Sequence, residues 1–380
     1  MEELRIIHTA DVHLGAPFVF LGAKGADERQ ALREALERVV AAAREERCGA
    51  AIIAGDLFDS AYDVLESELS FAIRALGCAG SGCTVVILPG SHDFYAPGSV
   101  YERERARFEA AGNVKILTPR RSVVEIPELS LAIHGKALTS SAGVEGPLSS
   151  LAPVESCRWN VAVAHGSVEG FGGVPESSDL PLGLDALSPG FSYVALGHWH
   201  SYRVVRESLP TVIYSGSPEL VARDQKGAGT AVLLALGADG ARTSLVRTGK
   251  RRLAHVSVDC TGLEATEELV RKVSASVPED QNLILDLELT GVIKAEAAVD
   301  PAEALDALGQ RYFSARLAGH GPSRAISQEE LLGVPDDTVA GKFVRFMLSR
   351  LEGAPEDKKG LYEEALQVGY QLFKGRNPLG

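Results

Sequence analysis

Three short apolar runs, at residues 4–9, 50–54 and 84–88, are separated by two stretches of helical periodicity, and this alternation leaves few folds open. Over residues 27–47 the apolar positions Ala31, Leu32, Ala35, Leu36, Val39, Val40 and Ala43 fall on one stripe, and Gly49 ends the pattern. Residues 63–76 form the second helical stretch. Strand, helix, strand, helix, strand predicts right-handed crossover units on one sheet. Each apolar run ends in a polar loop: Ala10-Asp11-Val12-His13, Gly55-Asp56-Leu57-Phe58-Asp59 and Gly90-Ser91-His92-Asp93. Such sheets bind their ligands at the carboxyl ends of the strands.

Beyond residue 110 the pattern changes to short strands, at 114–117, 122–126, 130–134, 160–164, 192–196, 211–215, 229–236 and 243–246. These predict a second sheet packed on the first, a layered α/β sandwich. Residues 139–157 and 166–190 are rich in Gly, Ser and Pro and read as loops; loops of that length are often functional. After Lys250-Arg251-Arg252 the composition shifts. A strand at 255–259, a helix over 264–277, an alternating run at 283–289 and a helix over 301–309 predict a small α/β module at 251–325. From 326 to 380 the chain reads as helical, with a capping box at Ser327-Gln328-Glu329-Glu330 and helices over 339–351 and 361–374. The expected domains are therefore 1–250, 251–325 and 326–380.

At 380 residues, 45% hydrophobic and 23% charged, the chain has the composition of a globular protein with sizeable cores. No window approaches a membrane span, and no basic, apolar leader opens the sequence. Five cysteines (Cys48, Cys78, Cys83, Cys157, Cys260) without a C-x-x-C pair predict reduced, buried thiols in a cytoplasmic protein. The net charge of −13 argues mildly against a nucleic-acid partner. Basic clusters survive at 103–107, 120–121 and 242–252, and bound metal would neutralise some of the acids.

Two further strand ends carry histidine: His165-Gly166 follows the run at 160–164, and Gly197-His198-Trp199-His200 follows the run at 192–196. Five of the nine histidines thus lie in strand-end loops, beside Asp11, Asp56 and Asp93. Either aspartate of the first two loops alone reads as a helix N-cap. As an ordered set they read as ligands. Carboxylate and imidazole donors together suit manganese, iron or zinc rather than calcium. An aspartate able to bridge, with histidines on either side, suits a pair of ions.

These motifs, in this order, resemble those of the calcineurin-like metallophosphoesterases, over residues 5–200. Within that superfamily the chain looks most like the SbcD-type nuclease subunits of double-strand-break repair and their archaeal and eukaryotic relatives. His8-Thr9-Ala10-Asp11-Val12-His13-Leu14-Gly15, Gly-Asp-Leu-Phe-Asp at 55–59 and Tyr214-Ser215-Gly216-Ser217-Pro218-Glu219 carry that closer likeness. The resemblance implies two mixed β-sheets flanked by helices, with a small α/β cap and C-terminal helices. It also implies two divalent ions, manganese first and iron, zinc or magnesium as alternatives. One ion would take Asp11, His13, Asp56 and His200; the other Asp56, Ser91, His165 and His198. His92 would protonate the leaving oxygen, with Asp59 orienting it. The implied activity is a DNA nuclease, exonuclease 3′-to-5′ and endonuclease, using in-line attack by metal-held hydroxide. Its implied partners are DNA, an SbcC-type coiled-coil ABC ATPase and a second copy of the chain.

One position departs from the family pattern: Ser91 stands where Gly-Asn-His-Asp is usual. A hydroxyl is a shorter and poorer ligand than an amide carbonyl, so a weaker second ion is expected. Two other readings stay open here, a phosphoesterase for small or protein-bound phosphates and a metal-degenerate docking component. Trp199 can stack on a base or pack beside the site, and the arginine runs can meet phosphates or simply face solvent. Phe343, Phe346, Met347 and Leu351 fit a partner groove or pack on the cap.

Overall fold

The computed structural model describes residues 3–80, 82–142, 146–171, 180–222, 225, 227–294, 297–319, 322–325 and 328–375. The chain divides into two compact units, Met1–Arg251 and Arg252–Gly380. The first begins with β1 (Leu4–Thr9), α1 (Gly25–Glu45), β2 (Ala50–Ala54), α2 (Glu66–Gly77), β3 (Thr84–Leu88), α3 (Val100–Glu109) and β4 (Val114–Ile116). It continues with β5 (Val123–Ile126), β6 (Leu131–His134), β7 (Trp159–His165), β8 (Ser167–Val168), β9 (Pro181–Leu182) and β10 (Tyr193–Gly197). The last strands are β11 (Arg203–Arg206), β12 (Thr211–Tyr214), β13 (Thr230–Gly237) and β14 (Gly240–Arg247).

Two six-stranded mixed sheets form the body of this unit. Their orders are β14-β13-β1-β2-β3-β4 and β11-β12-β10-β7-β6-β5, and β8 and β9 form a small parallel pair of their own. Successive side chains on a strand face opposite ways. Ile7, Ile53, Val85 and Ile87 therefore meet Leu32, Leu36 and Val39 of α1 and Leu69 and Ala72 of α2. Their neighbours Ile6, Ile52, Val86 and Leu88 face Ile133, Val161, Val163 and Ala195 of the second sheet. A strand buried on both faces reads as one apolar run, as 50–54 and 84–88 do. β1–β2, β2–β3, β7–β10 and β10–β12 are parallel, so the carboxyl ends within each set lie together.

The second sheet differs from its sequence expectation. Residues 229–236 and 243–246 join the first sheet instead: β13 pairs antiparallel with β1, placing Leu234 opposite Ile6, and β14 pairs with β13. β4 joins the first sheet through β3. Without β13, β1 would leave a row of backbone groups unpaired at a sheet edge. Alternation also aims Val232, Leu234 and Leu236 at the second sheet, beside Ile6. The charge run at 103–107 belongs to a helix, α3, anchored by buried Val100, Tyr101 and Phe108. Cys48, Cys83 and Cys260 are buried, as expected, but Cys78 is exposed and Cys157 is half-buried.

The second unit contains β15 (Arg252–Asp259), α4 (Thr266–Ser276), β16 (Leu283–Thr290), β17 (Val292–Ile293), α5 (Pro301–Leu308), β18 (Ser314–Leu317) and β19 (Ser323–Arg324). β15, β16 and β18 form a parallel sheet, and β17 pairs with β19. Leu269, Val273 and Leu308 of the helices pack with Val256, Val258, Leu285 and Leu287 of the sheet. Asp300 caps α5 by accepting from the Ala302 N–H at 2.8 Å. The helices α6 (Gln328–Leu332), α7 (Val339–Glu352) and α8 (Glu356–Phe373) complete the unit. Met347 is buried with Val344, Leu366 and Tyr370, and Phe343 packs against them, while Phe346 is exposed. Ser327, the expected capping serine, and His320 lie outside the described residues. Among the described residues no helix is long and apolar enough to cross a membrane.

Candidate metal centre

The loops after β1, β2, β3, β7 and β10 meet at one end of the two sheets, and local backbone shape brings them close. Nine non-glycine residues among those described have positive φ, and four of them are Asp11, His13, Asp56 and His198. Such conformations cost on the order of 1–3 kcal/mol each and persist only where the surroundings impose them. Here Asp11 N–H donates to Gly55 O at 3.0 Å and His13 N–H to Asp56 O at 3.0 Å, locking the first two loops together. Glycine is required at two approaches. A Cβ on Gly55 would overlap the His165 ring, and one on Gly90 would overlap the Asp56 carboxylate.

Among the described residues, three sets of donor atoms gather within 4.8 Å of one another: Asp11 with His13 and His200, His13 with Asp56 and His92, and Asp11 with Asp56 and His165. Asp11, His13, Asp56 and His165 are almost wholly buried, whereas the His92 side chain is 50% exposed. Ser91 Oγ lies 3.1 Å from Asp56 Oδ2 and 3.2 Å from His165 Nε2, so the serine hydroxyl reaches the cluster. His198 enters differently. Its N–H donates to both Asp11 carboxylate oxygens at 3.0 Å, and its ring sits edge-on to His165 at 5.2 Å between centroids.

The histidines are held with one nitrogen facing inward. His13 Nδ1 is 3.0 Å from Asp59 Oδ1, and His165 Nδ1 donates to the Ala54 carbonyl at 2.9 Å. A proton on Nδ1 leaves the Nε2 lone pair for a ligand. His165 Nε2 is 3.2 Å from Asp56 Oδ2. His13 Nε2 and His200 Nε2 face each other at 3.2 Å, a separation that needs a proton or a cation between them. These buried, inward-facing donors fit divalent cations.

Electrostatics give the same picture. Burial alone would lower His165, but the charge and hydrogen bond of Asp56 push it up to about 9. Burial likewise opposes a proton on His13, yet Asp59 and the nearby carboxylates raise it. Asp11 is raised to about 6 by burial, against the pull of His165. Burial would raise Asp56 too, but His165 and His13 hold it well below the usual carboxylate range. Burial and the His13 charge lower His200 to about 3. The buried carboxylates therefore favour positive charge at the inward-facing side of His13 and His165.

Three supporting contacts were not legible in the sequence. The Asp59 carboxylate, expected to orient His92, lies 3.9 Å from His92 Nδ1 and closer, 3.0 Å, to His13 Nδ1, while its backbone carbonyl meets His92 Nδ1 at 3.1 Å. Because partners of this kind tune metal affinity, Asp59→Asn is expected to weaken divalent-metal binding by about 10–100-fold, measured by calorimetry. Gln225 accepts at Oε1 from the Val221 and Ala222 N–H groups, each at 3.0 Å, and its other end meets His200 Nδ1. Asp93, wholly buried, accepts from Gly90 N at 2.7 Å, Phe58 N at 3.0 Å and Tyr101 Oη at 2.7 Å. Asp93→Ala strands three buried donors and is expected to lower the unfolding free energy by roughly 3 kcal/mol or more in a denaturant titration.

The structure places several of the residues whose roles the sequence left open. Trp199 packs with Phe171 and Tyr214, donates to Ser167 Oγ at 3.2 Å and carries the Arg203 guanidinium over its ring. Arg107 is taken up by Glu66 and Glu104, and Arg251 forms a buried pair with Glu28 at 2.7 Å. His8 and His134 are structural, bonded to Tyr193 Oη and Asn160 Oδ1.

Comparison with known proteins agrees with this geometry. The family model described as calcineurin-like phosphoesterase matches residues 4–202, a span that holds every candidate from Asp11 to His200. The SbcD component of nuclease SbcCD from Escherichia coli (strain K12) is 26% identical over 327 residues, covering 76% of this chain and 78% of that protein. Uncharacterized metallophosphoesterase YhaO of Bacillus subtilis (strain 168) is 25% identical over 231 residues, 58% of this chain and 54% of that protein. DNA double-strand break repair protein Mre11 of Methanopyrus kandleri is 27% identical over 251 residues, 59% of this chain and 52% of that protein. The chain spans about half the length of the latter two. With the family match running through both site-bearing sheets and the strand-end donors gathered at one point, this chain belongs to the calcineurin-like phosphoesterase family.

Proposed function

We propose that the chain is a divalent-metal-dependent DNA nuclease of the SbcD type, cleaving phosphodiesters as a 3′-to-5′ exonuclease, an endonuclease or both. The observation that carries this reading is a buried Asp/His cluster whose one half-exposed imidazole, His92, borders a groove. The likeness to a nuclease component over 78% of that protein's length supports DNA as the substrate. Asp11, His13, Asp56 and His200 would hold one cation, and Asp56, Ser91, His165 and His198 the other. Divalent cations bound there supply a water ionised near neutral pH and neutralise charge on the phosphate. Manganese is the proposed metal, because the donors mix carboxylates with imidazoles; iron, zinc and magnesium are the alternatives.

The chain's own groups do the rest. Asp56 would serve both cations; the His92 N–H holds its Oδ1 at 2.8 Å, and its Oδ2 lies 3.2 Å from His165 Nε2 and 3.8 Å from His13 Nε2. His92 delivers a proton to the leaving oxygen from Nε2, its Nδ1 being held against the Asp59 carbonyl. Ser91→Asn should tighten binding of the second cation, on the order of tenfold, or about 1.4 kcal/mol, in a metal titration.

The same reading assigns residues 251–325 to a cap and residues 326–380 to a segment that docks an SbcC-type coiled-coil ATPase. The exposure of Phe346, Leu361 and Phe373 on α7 and α8 supports such a docking face. A homodimer working in the cytoplasm completes the proposal. The test is cleavage of linear and hairpin DNA with manganese. Turnover of a small phosphodiester with no cleavage of either DNA would overturn the nuclease reading.

A further inference from the structure

A groove of about 680 Å³ opens beside the cluster, lined by Ser91, His92 and His198 together with Tyr62, Phe94, Leu180 and Pro181. Tyr62 and Phe94 meet edge to face, 5.7 Å apart and inclined at 79°. Phe94 is half-buried behind it, so the contact braces a Tyr62 ring that is itself 47% exposed. No lysine or arginine lines the groove among the described residues. Its one acid, Asp59, is engaged by His13. A track for the phosphate backbone would need cations along it. What this groove offers is a braced aromatic face, aliphatic walls and the hydroxyls of Ser60 and Ser141.

We infer that the groove takes one unstacked nucleobase of the nucleotide flanking the scissile phosphate, with Tyr62 as its stacking face. The inference rests on the nuclease reading of the neighbouring cluster and adds a specificity device to it. A flat, neutral heterocycle with polar edges matches a wall that has rings and hydroxyls but no lysine or arginine among the described residues. The groove's volume admits a base with room to spare, and its sharing of His92 and Ser91 with the cluster places that base next to the reacting phosphate. Aromatic faces accept any base, so the groove would favour an unpaired base without reading sequence.

The test uses the full chain with manganese and two single-stranded oligonucleotides, one fully base-bearing and one with an abasic unit at the cleavage position. The wild type is expected to cleave the base-bearing strand roughly tenfold better in kcat/KM, the scale of one base–aromatic stack. Tyr62→Ala should bring the ratio of the two rates towards one, and Tyr62→Phe should restore it. Phe94→Leu, which removes the brace, should reduce the ratio part of the way. Equal cleavage of the two strands by the wild type, or a ratio unchanged in Tyr62→Ala, overturns the groove assignment and leaves the nuclease reading standing. Failure to cut either strand while a small phosphodiester is hydrolysed overturns both.

Discussion

Replacing His92 by alanine is expected to lower kcat for DNA cleavage by about 10²- to 10⁴-fold, the usual weight of a positioned general acid. The position of His92 supports this result. It is the half-exposed imidazole of the cluster, and its Nδ1 rests against the Asp59 carbonyl. A proton donor matters most when the leaving oxygen departs as a poor anion, as a sugar alkoxide does. A p-nitrophenyl phosphodiester, whose leaving group is stable as an anion, should therefore lose far less activity in His92→Ala. Metal content should be unchanged in the variant. His92 also lies within 4.8 Å of His13 and Asp56 donor atoms, so a ligand role makes the opposite forecast. Equal losses on both substrates, together with lost metal, would assign His92 to the ions rather than to the proton.

Asp56→Asn should have the larger effect. The carboxylate is buried, accepts the His92 N–H at 2.8 Å and lies 3.2 Å from His165 Nε2 and 3.8 Å from His13 Nε2. It is the acid that the proposal gives to both ions. An amide keeps the shape but removes the charge and one acceptor oxygen. Metal uptake should fall from two ions to at most one per chain by elemental analysis, and cleavage by at least about 10³-fold, since a bound pair would stabilise both the attacking and the leaving oxygen. A variant that keeps two ions and most of its rate would remove Asp56 from the bridge.

How much of this was legible beforehand depends on what each signal encodes. The runs at 50–54 and 84–88 read as buried strands because apolar side chains on both faces leave no polar alternation, and their loop ends follow from that. The partner of a strand is not written in its period. Residues 229–236 look the same whether they extend the second sheet or close the open edge of β1, and only the packing of Leu234 beside Ile6 decides it. α3 was masked by its charge, since just Val100, Tyr101 and Phe108 face inward.

At the site, the ordered Asp and His motifs named the residues that gather, but spacing does not say which oxygen of Asp59 meets which histidine. The backbone turn that aims the carboxylate at His13 and the carbonyl at His92 decides that. Gln225 carried no signal at all, being a lone amide in a loop after β12. Asp93 was visible as part of a motif, yet its task, holding Gly90, Phe58 and Tyr101 together, appears only in three dimensions.

The most direct measurement of the proposed dimetal centre is anomalous scattering from crystals of the full chain grown with manganese. Two peaks are predicted, one among Asp11, His13, Asp56 and His200 and one among Asp56, Ser91, His165 and His198, the second weaker because serine supplies its hydroxyl where an amide carbonyl is usual. No peak at these residues in manganese-saturated crystals, or peaks held by other groups, would contradict it.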